Sequence, residues 1–322
     1  MNFKLTIAIP TYNRSEILGD NLKKIFSIVD KNIQIVVSDN YSSDNTEHIC
    51  RKFLVFNNFK YTKNNKNIGY DLNILNCINN SLGDYIWFLA DDDVITKSIY
   101  EQVLSAISDD NLAGLLIDAK VIDPDTNRII HNSLSHSDID RDVVVDEAVL
   151  VDNFKWSTLI SSQVIRRKDI GINHLDNAAG TVFIQLPLFW NSCFGKKIKL
   201  ISSEKIIKHD VLTNNFGSST ASIWLWNLIS VSHIMVGNGI SKRAMRLALT
   251  SIYSKGLLSK SGVLAHYFLS RATGEGKAGL AGYLRVSQCI KLTVIESVVI
   301  FCLSLIPDSF LRVIRRLLRG KF

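Results

Sequence analysis

Apolar positions in the first hundred residues recur with two alternating periods. Leu5–Ile9 is a short continuous apolar run closed by Pro10, the pattern of a buried strand. Between Ser15 and Val29, the residues Ile17, Leu18, Leu22, Ile25, Phe26 and Val29 fall at helical spacing. Gln34–Asp39 reads as a second buried strand, and Asp44 with Glu47 predicts a capping box opening a helix through Arg51–Phe53. Phe59–Thr62 is a weaker strand. Asp71–Ile78 follows as a helix with Leu72, Leu75 and Ile78 on one face, then Asp84–Leu89 as a strand and Thr96–Ile107 as a helix. Continuous apolar strands alternating with helices predict an α/β fold, a mostly parallel sheet with helices on both faces. Ligands of such sheets gather at the carboxyl ends of the strands. There this chain places Asp39, Asp44 and the triplet Asp91–Asp92–Asp93.

Beyond Leu112 the pattern loosens. Leu115–Val121 and Arg128–His131 read as strands around the turn Asp123–Pro124–Asp125, and residues 132–152 as a polar, acidic surface loop. Leu159–Arg166 is a further strand, Thr181–Phe194 a helix and Lys199–Ile207 a strand; from Trp224 the pattern is helical to the end. With four prolines and no Gly/Ser-rich tract, no flexible linker interrupts the chain. The expected organisation is a nucleotide-binding half over residues 1–122, an acceptor-binding half of the same domain over 123–222, and a helical region over 223–322.

The carboxylates suggest a chemistry. A sugar nucleotide carries a diphosphate, and breaking its glycosyl bond leaves more charge on the departing oxygens. A hard divalent cation, Mg²⁺ or Mn²⁺, takes oxygen ligands and neutralises that charge. Asp91 and Asp93, one residue apart at a strand end, suit such a cation. The rival reading is a set of carboxylates stabilised by the N-terminus of the helix near Thr96. A phosphatase motif, Asp-x-Asp-x-Thr/Val, is excluded by Ile95 and by its position after the fourth strand.

Four motifs then stand in order: Ile9-Pro10-Thr11-Tyr12-Asn13-Arg14, Val37-Ser38-Asp39-Asn40-Tyr41-Ser42-Ser43-Asp44-Asn45-Thr46, Asn67-Ile68-Gly69, and Gly83-Asp84-Tyr85-Ile86-Trp87-Phe88-Leu89-Ala90-Asp91-Asp92-Asp93. Together they resemble glycosyltransferase family 2, and the Asp-Asn-x-Ser-x-Asp and Ala-Asp-Asp-Asp stretches resemble abequosyltransferase-like members. The resemblance implies a GT-A fold with a Rossmann-like sheet, a nucleoside-diphosphate-sugar donor and inversion at the anomeric carbon. It implies a nucleotide pocket lined by Pro10, Thr11, Tyr12 and Arg14, with Asp39 at the base or ribose and Asp44 supporting the loop. Asn67, Gly69 and Asp92 would join the donor site, Asp91 would bridge ribose and diphosphate, and Asp93 would be the strongest metal ligand. Other readings stay open: Tyr12 packing on the sheet edge, Asp44 as a helix cap, Asn67 and Gly69 as turn formers. Neither a Glu-Asp pair nor the Gln-x-x-Arg-Trp motif of processive synthases occurs. The second absence argues against a polysaccharide synthase. The first leaves the base to Asp176, with His174, His209 and Asp210 as competitors. Arg166, Arg167 and Lys168 are candidates to contact a pyrophosphate.

Charge adds one further element. From Gly237 onward there are 14 Lys/Arg against 3 Asp/Glu, while residues 1–236 are net −4. After Pro307, Phe310, Leu311, Ile314, Leu317 and Leu318 share one helical face and Arg312, Arg315, Arg316 and Arg319 another, a basic amphipathic helix suited to an anionic membrane surface rather than nucleic acid. Leu292–Ile306 is apolar but shorter than a membrane span. Five scattered cysteines without a Cys-x-x-Cys pair, and no signal-peptide pattern over Met1–Pro10, lead to an expected place on the cytoplasmic side, peripheral at the inner face of the plasma membrane. The expected acceptor is a glycan or a polyprenyl-diphosphate-linked oligosaccharide of surface-polysaccharide or O-antigen assembly. Two alternatives stay open: a metal-dependent nucleotidyltransferase of similar sheet, whose Gly-rich signature is missing from Pro10–Ser15, and a catalytically silent sugar-nucleotide-binding scaffold at the membrane.

Overall fold

The computed structural model describes residues 3–123, 126–135, 137–171, 175, 178–209, 223–254, 267–268 and 279–318. The first half alternates strand and helix: β1 (Leu5–Thr11), α1 (Ser15–Ile28), β2 (Gln34–Asp39), α2 (Thr46–Arg51), β3 (Phe59–Lys63), α3 (Tyr70–Asn80), β4 (Tyr85–Phe88) and α4 (Lys97–Ala106). Then come β5 (Gly114–Ile122), β6 (Ile129–His131), β7 (Arg141–Val144), α5 (Glu147–Asn153), β8 (Gln163–Arg166), α6 (Gln185–Cys193) and β9 (Lys197–His209). Five helices close the chain: α7 (Leu228–Gly237), α8 (Lys242–Ser254), α9 (Gly279–Cys289), α10 (Val294–Leu305) and α11 (Asp308–Leu318).

Among the described residues the strands form one sheet in the order β3-β2-β1-β4-β8-β5-β9-β7, with β6 paired to β5. Strands β3, β2, β1 and β4 run parallel, as do β5 and β9; β8 is antiparallel to both β4 and β5. Every residue of β1, β2 and β4 is buried, as strands covered on both faces must be. α1 packs against α2, and α3 packs on β1 and β2. Trp87, Tyr85 and Phe88 of β4 are among the largest fully buried side chains.

Several boundaries move. β1 runs through Pro10 to Thr11, because its ladder to β4 ends at the Ala8–Phe88 pair and the missing N–H of Pro10 falls beyond it. The expected loop over 132–152 contains β7 and α5. β7 is a mostly exposed edge strand held by pairing with β9 and by Lys197 and Lys199 on Asp142, so its residues carry no apolar alternation. The capping box does not form: α2 starts after Asn45 without a side-chain cap, and Glu47 instead pairs with Arg51 and Lys63. β8 is shorter than expected, because Ile160–Ser162 turns as a 3₁₀ helix before it.

The chain divides into two compact units. One comprises Met1–Val149, Trp156–Gly180 and Ile184–Val211 and carries the sheet; the other comprises Leu150–Lys155, Thr181–Phe183 and Leu212–Phe322 and carries helices α7 to α11.

Candidate active site

The strand order reverses at β1: β2 and β3 are added on one side, β4 on the other. In open α/β sheets the ligand end at such a reversal is the carboxyl ends of the flanking strands, here β1 and β4. Asp91, Asp92 and Asp93 lie in the turn just past β4, all buried. The end of β1 reaches across to them. Thr11 donates its hydroxyl to Asp91 Oδ2 at 2.8 Å, and Arg14 Nη1 lies 2.6 Å from Asp91 Oδ1 and 3.0 Å from Asp92 Oδ2. Burial pushes the Asp91 carboxyl up to about 6; Arg14 works against this and Asp92 adds to it. The Arg14 guanidinium loses hydration too, yet Asp91 and Asp92 hold it more firmly charged than usual.

Three clamps fix the turn. Asn21, on the buried stripe of α1, donates Nδ2 to the carbonyls of Asp91 (3.2 Å) and Asp93 (2.9 Å). Ser161 donates Oγ to Asp93 Oδ2 at 2.5 Å and accepts from the Ala90 amide at 2.9 Å. Val94 and Ile207 of β9 exchange backbone hydrogen bonds at 2.8 and 3.0 Å. The carboxylates are therefore held in place before any ligand arrives, which lowers the ordering cost of binding.

The neighbouring loops form a second cluster. Asp39 ends β2 level with Thr11, fully buried, accepting from the Ser42 amide (2.8 Å) and from the Tyr61 hydroxyl (2.7 Å). Asn13, at φ 54°, ties the two loops together: its amide donates to Ser42 Oγ and its Oδ1 accepts from the Ser43 amide, both at 2.8 Å. Asp44 accepts from the amides of Ser15 and Thr46 and from the Thr46 hydroxyl. Burial would raise its carboxyl, but these bonds win and hold it below the ordinary carboxylate range. Asn67 Oδ1 accepts from Asn40 Nδ2 and the Gly69 amide, each at 2.9 Å. Asn64 links Asn40 to Asn73, which bonds Ser38. Gly69, at φ 84° and ψ 163°, occupies a region essentially closed to side-chain-bearing residues and turns the chain into α3. Tyr12 and Tyr41 stand exposed on these loops.

An all-oxygen donor set with concentrated negative charge suits a hard divalent cation. Among the described residues no group of three or more His, Cys, Asp or Glu side chains is arranged to hold a metal.

The model of the family described as "Glycosyl transferase family 2" matches residues 6–174, just over half of the chain. The chain belongs to glycosyltransferase family 2. Abequosyltransferase RfbV of Salmonella typhimurium is 27% identical over 205 residues, 58% of this chain and 61% of that protein. The GalNAc(5)-diNAcBac-PP-undecaprenol beta-1,3-glucosyltransferase of Campylobacter jejuni is 33% identical over 100 residues, 28% of this chain and 30% of that protein. The matches thus span about three-fifths and about a third of these relatives' lengths. S. aureus TarS 1-349 in complex with UDP-GlcNAc shares the fold at a TM-score of 0.62 and 14% identity, over 98% of this chain and 92% of that one. Mannosyltransferase PcManGT of Pyrobaculum calidifontis, in complex with GDP-Man and Mn²⁺, does so at 0.51 and 11%, over 99% and 88%.

In this family 2 member the structure brings together Thr11, Arg14, Asp91 and Asp92, with Asp93 beside them on Ser161, and joins Asp39, Asp44, Asn67 and Gly69 through adjoining loops. Asp44 is not the N-cap residue of α2, which is Asn45, but it does cap the first amides of both α2 and α1. Its carboxylate sits one residue before the N-cap and bridges α2 to the start of α1. Arg166, Arg167 and Lys168 do not reach the site. Arg166 pairs with Tyr85 at the amino end of β4, bonding Asp169 and the Asp110 carbonyl, while Arg167 bonds the Gly83 carbonyl. Antiparallel β8 turns its carboxyl end to the opposite edge from Asp91, so the pyrophosphate expectation is withdrawn for them. Asp176, His174 and Asp210 lie outside the described residues; His209 ends β9, with its backbone two residues past the bridge to Val94. Sequence reasoning missed Asn21, Ser161, Tyr61 and the asparagine network. Asn21 had a signal, a polar residue inside the apolar stripe of Leu18, Leu22 and Ile25. Ser161 had none.

Proposed function

We propose that this chain transfers a sugar from a nucleoside-diphosphate sugar to a hydroxyl of a glycan acceptor carried on a polyprenyl diphosphate, with inversion, in surface-polysaccharide or O-antigen assembly. The observation that carries the reading is the set of three buried carboxylates held at the β1–β4 switch point in a family 2 chain. Residues 1–122 form the nucleotide half and residues 123–222 the acceptor half, with residues 223–322 as the helical region. Tyr12 and the Asp39 loop hold the nucleoside, Asp39 acting by fixing Tyr61 and the Ser42 amide. Pro10, Thr11, Asn67, Gly69 and Asp44 shape the walls. Asp93 and Asp91 would hold Mn²⁺ or Mg²⁺, which when bound supplies Lewis-acid stabilisation of the leaving diphosphate. Arg14 bridges Asp91 and Asp92 and opposes the burial that raises the Asp91 carboxyl. Asp176 is assigned the proton of the acceptor hydroxyl. The Mn²⁺ in PcManGT and the PP-undecaprenol of the Campylobacter enzyme's name support the metal and the lipid-linked acceptor. Such an acceptor places the enzyme at the cytoplasmic face of the membrane, where the basic C-terminal region meets anionic lipid.

Calorimetry with UDP-, dTDP-, CDP- and GDP-sugars, with and without Mn²⁺, tests the reading. One donor should bind tighter with Mn²⁺, and Asp93→Asn should abolish the metal-dependent part while melting like the parent. Unchanged Mn²⁺ dependence in the folded variant would remove Asp93 from the metal site. Metal-dependent binding without any release of nucleoside diphosphate would favour a silent scaffold.

A further inference from the structure

α10 is built inside out for a helix in water. Its inward side holds Ser297, whose Oγ lies 3.0 Å from the Tyr283 hydroxyl of α9, together with Ile300 and Ser304. Its outward side is apolar: Val294 is 82% exposed, Ile295 74%, Val298 56% and Leu305 64%. Water-facing helices present polar residues outward. A contiguous apolar face of this kind marks a surface that something else covers. Past Pro307 the chain bends by 112° into α11, where Leu311 is buried and Phe310, Arg312 and Val313 are exposed. No helix among the described residues is long and apolar enough to cross a membrane. At 12 residues α10 measures about 18 Å, against about 30 Å of hydrocarbon.

We propose that the outward face of α10, continued by Phe310 and Val313 of α11, docks in the plane of an anionic lipid bilayer. The inference deepens the membrane-side reading above and rests on it. It differs in which helix enters the lipid: α10 carries the apolar contact, and the arginine-rich segment after Pro307 carries the attraction. Charge selects the occupant. The chain from Gly237 onward holds 14 Lys/Arg against 3 Asp/Glu, and exposed Lys291 and Arg312 flank the apolar face. A second copy would bring the same excess positive charge against itself, whereas anionic headgroups complement it. A capping box of Thr293 and Glu296 closes the start of α10 and satisfies the amides of those two residues without water.

The chain supplies its own reporter. Cys302 is exposed on this helix, while Cys50, Cys77 and Cys193 are buried and Cys289 half-buried. A charged maleimide is reacted with the full chain alone, with phosphatidylcholine vesicles, and with vesicles containing phosphatidylglycerol. Labelling of Cys302 should slow on the order of tenfold on the anionic vesicles only, with Cys302→Ser giving the background. In co-sedimentation, Ile295→Glu with Val298→Glu, both at exposed positions and checked by melting, should cut anionic-vesicle binding on the order of tenfold. High salt should weaken binding of the parent. Equal labelling with and without vesicles, or equal sedimentation of parent and variant, overturns the proposal. So does slow labelling in lipid-free solution accompanied by a dimer in sedimentation equilibrium, which would assign the face to a second copy. Donor binding in calorimetry is read in parallel. Its loss in the parent counts against the transferase reading, and its persistence without vesicle binding counts against the docking face alone.

Discussion

Asn21 shows how one side chain outside every recognisable motif governs the acidic cluster. Its amide holds the carbonyls of Asp91 and Asp93, so the direction of both side chains depends on it. Asn21→Ala should cost about 2–4 kcal/mol in urea denaturation, the penalty for leaving buried acceptors without a donor, and should raise the Mn²⁺ concentration needed for donor binding. Asn21→Asp should be worse, setting a fourth carboxylate against the triplet. Parental stability in the aspartate variant would show that the contact does not matter. Asp39, expected at the base or ribose, accepts one hydrogen bond on each carboxylate oxygen from inside the protein, so it has a structural task as well. Asp39→Ala should lower stability by about 1–3 kcal/mol and weaken binding of free nucleotide in the absence of metal. Full nucleotide affinity by calorimetry would make the residue purely structural. These two residues mark the limit of what is legible in sequence. A motif reports that a carboxylate is present, but not whether its lone pairs face a ligand or a neighbour.

At the scale of elements, two glycines separate site from scaffold. Gly69 opens α3 in a backbone region that side chains avoid, with no atom near where a Cβ would stand. Gly69→Ala should therefore cost about 1–3 kcal/mol through backbone strain alone and should weaken nucleotide binding through Asn67. A Cβ on Gly83 would meet the Thr6 amide nitrogen at 2.5 Å and the Leu5 carbonyl carbon at 2.6 Å. Gly83→Ala should destabilise by about 3 kcal/mol or more, because backbone must move, while the folded fraction keeps its donor affinity. Urea titration paired with calorimetry on both variants checks the contrast; equal loss of affinity in both would break it. The parallel strands were legible because burial on both faces makes them continuously apolar. β7 was not, since an exposed edge strand owes its form to its partner's backbone.

For the molecule as a whole, acid stability follows from carboxylates with a structural task. Asp140 joins Gln102 of α4 to the amides of Ser202 and Ser203 in β9, and Asp169 joins Arg166 to Lys196. Burial alone would raise both carboxyls, yet hydrogen bonds and neighbouring cations hold both below the ordinary range. A depressed folded value means stability that is complete above the unfolded value of about 3.9 and lost as pH falls through the folded one. The urea midpoint should thus change little for these groups from neutral pH to about 5, then drop below about 4. Asp140→Asn should start lower and fall less steeply. An identical acid slope in that variant would remove Asp140 from the account.

Read by itself, the sequence determined the periodicities, and through them the parallel half of the sheet, the identity of the ligand end and the carboxylates gathered there. Local patterns suffice for this, because side-chain alternation and helical spacing are imposed by the backbone over a few residues. Tertiary structure alone decided which side of each carboxylate is engaged, that Asn21, Ser161 and Ile207 hold the acidic turn, and that Arg166 and Arg167 face the far end of β4. It also decided that α10 turns its apolar side outward. Contacts between residues 68 to 113 positions apart depend on how strands are ordered in the sheet, and the outward face of a helix depends on what packs behind it. Neither is encoded within a local window of sequence.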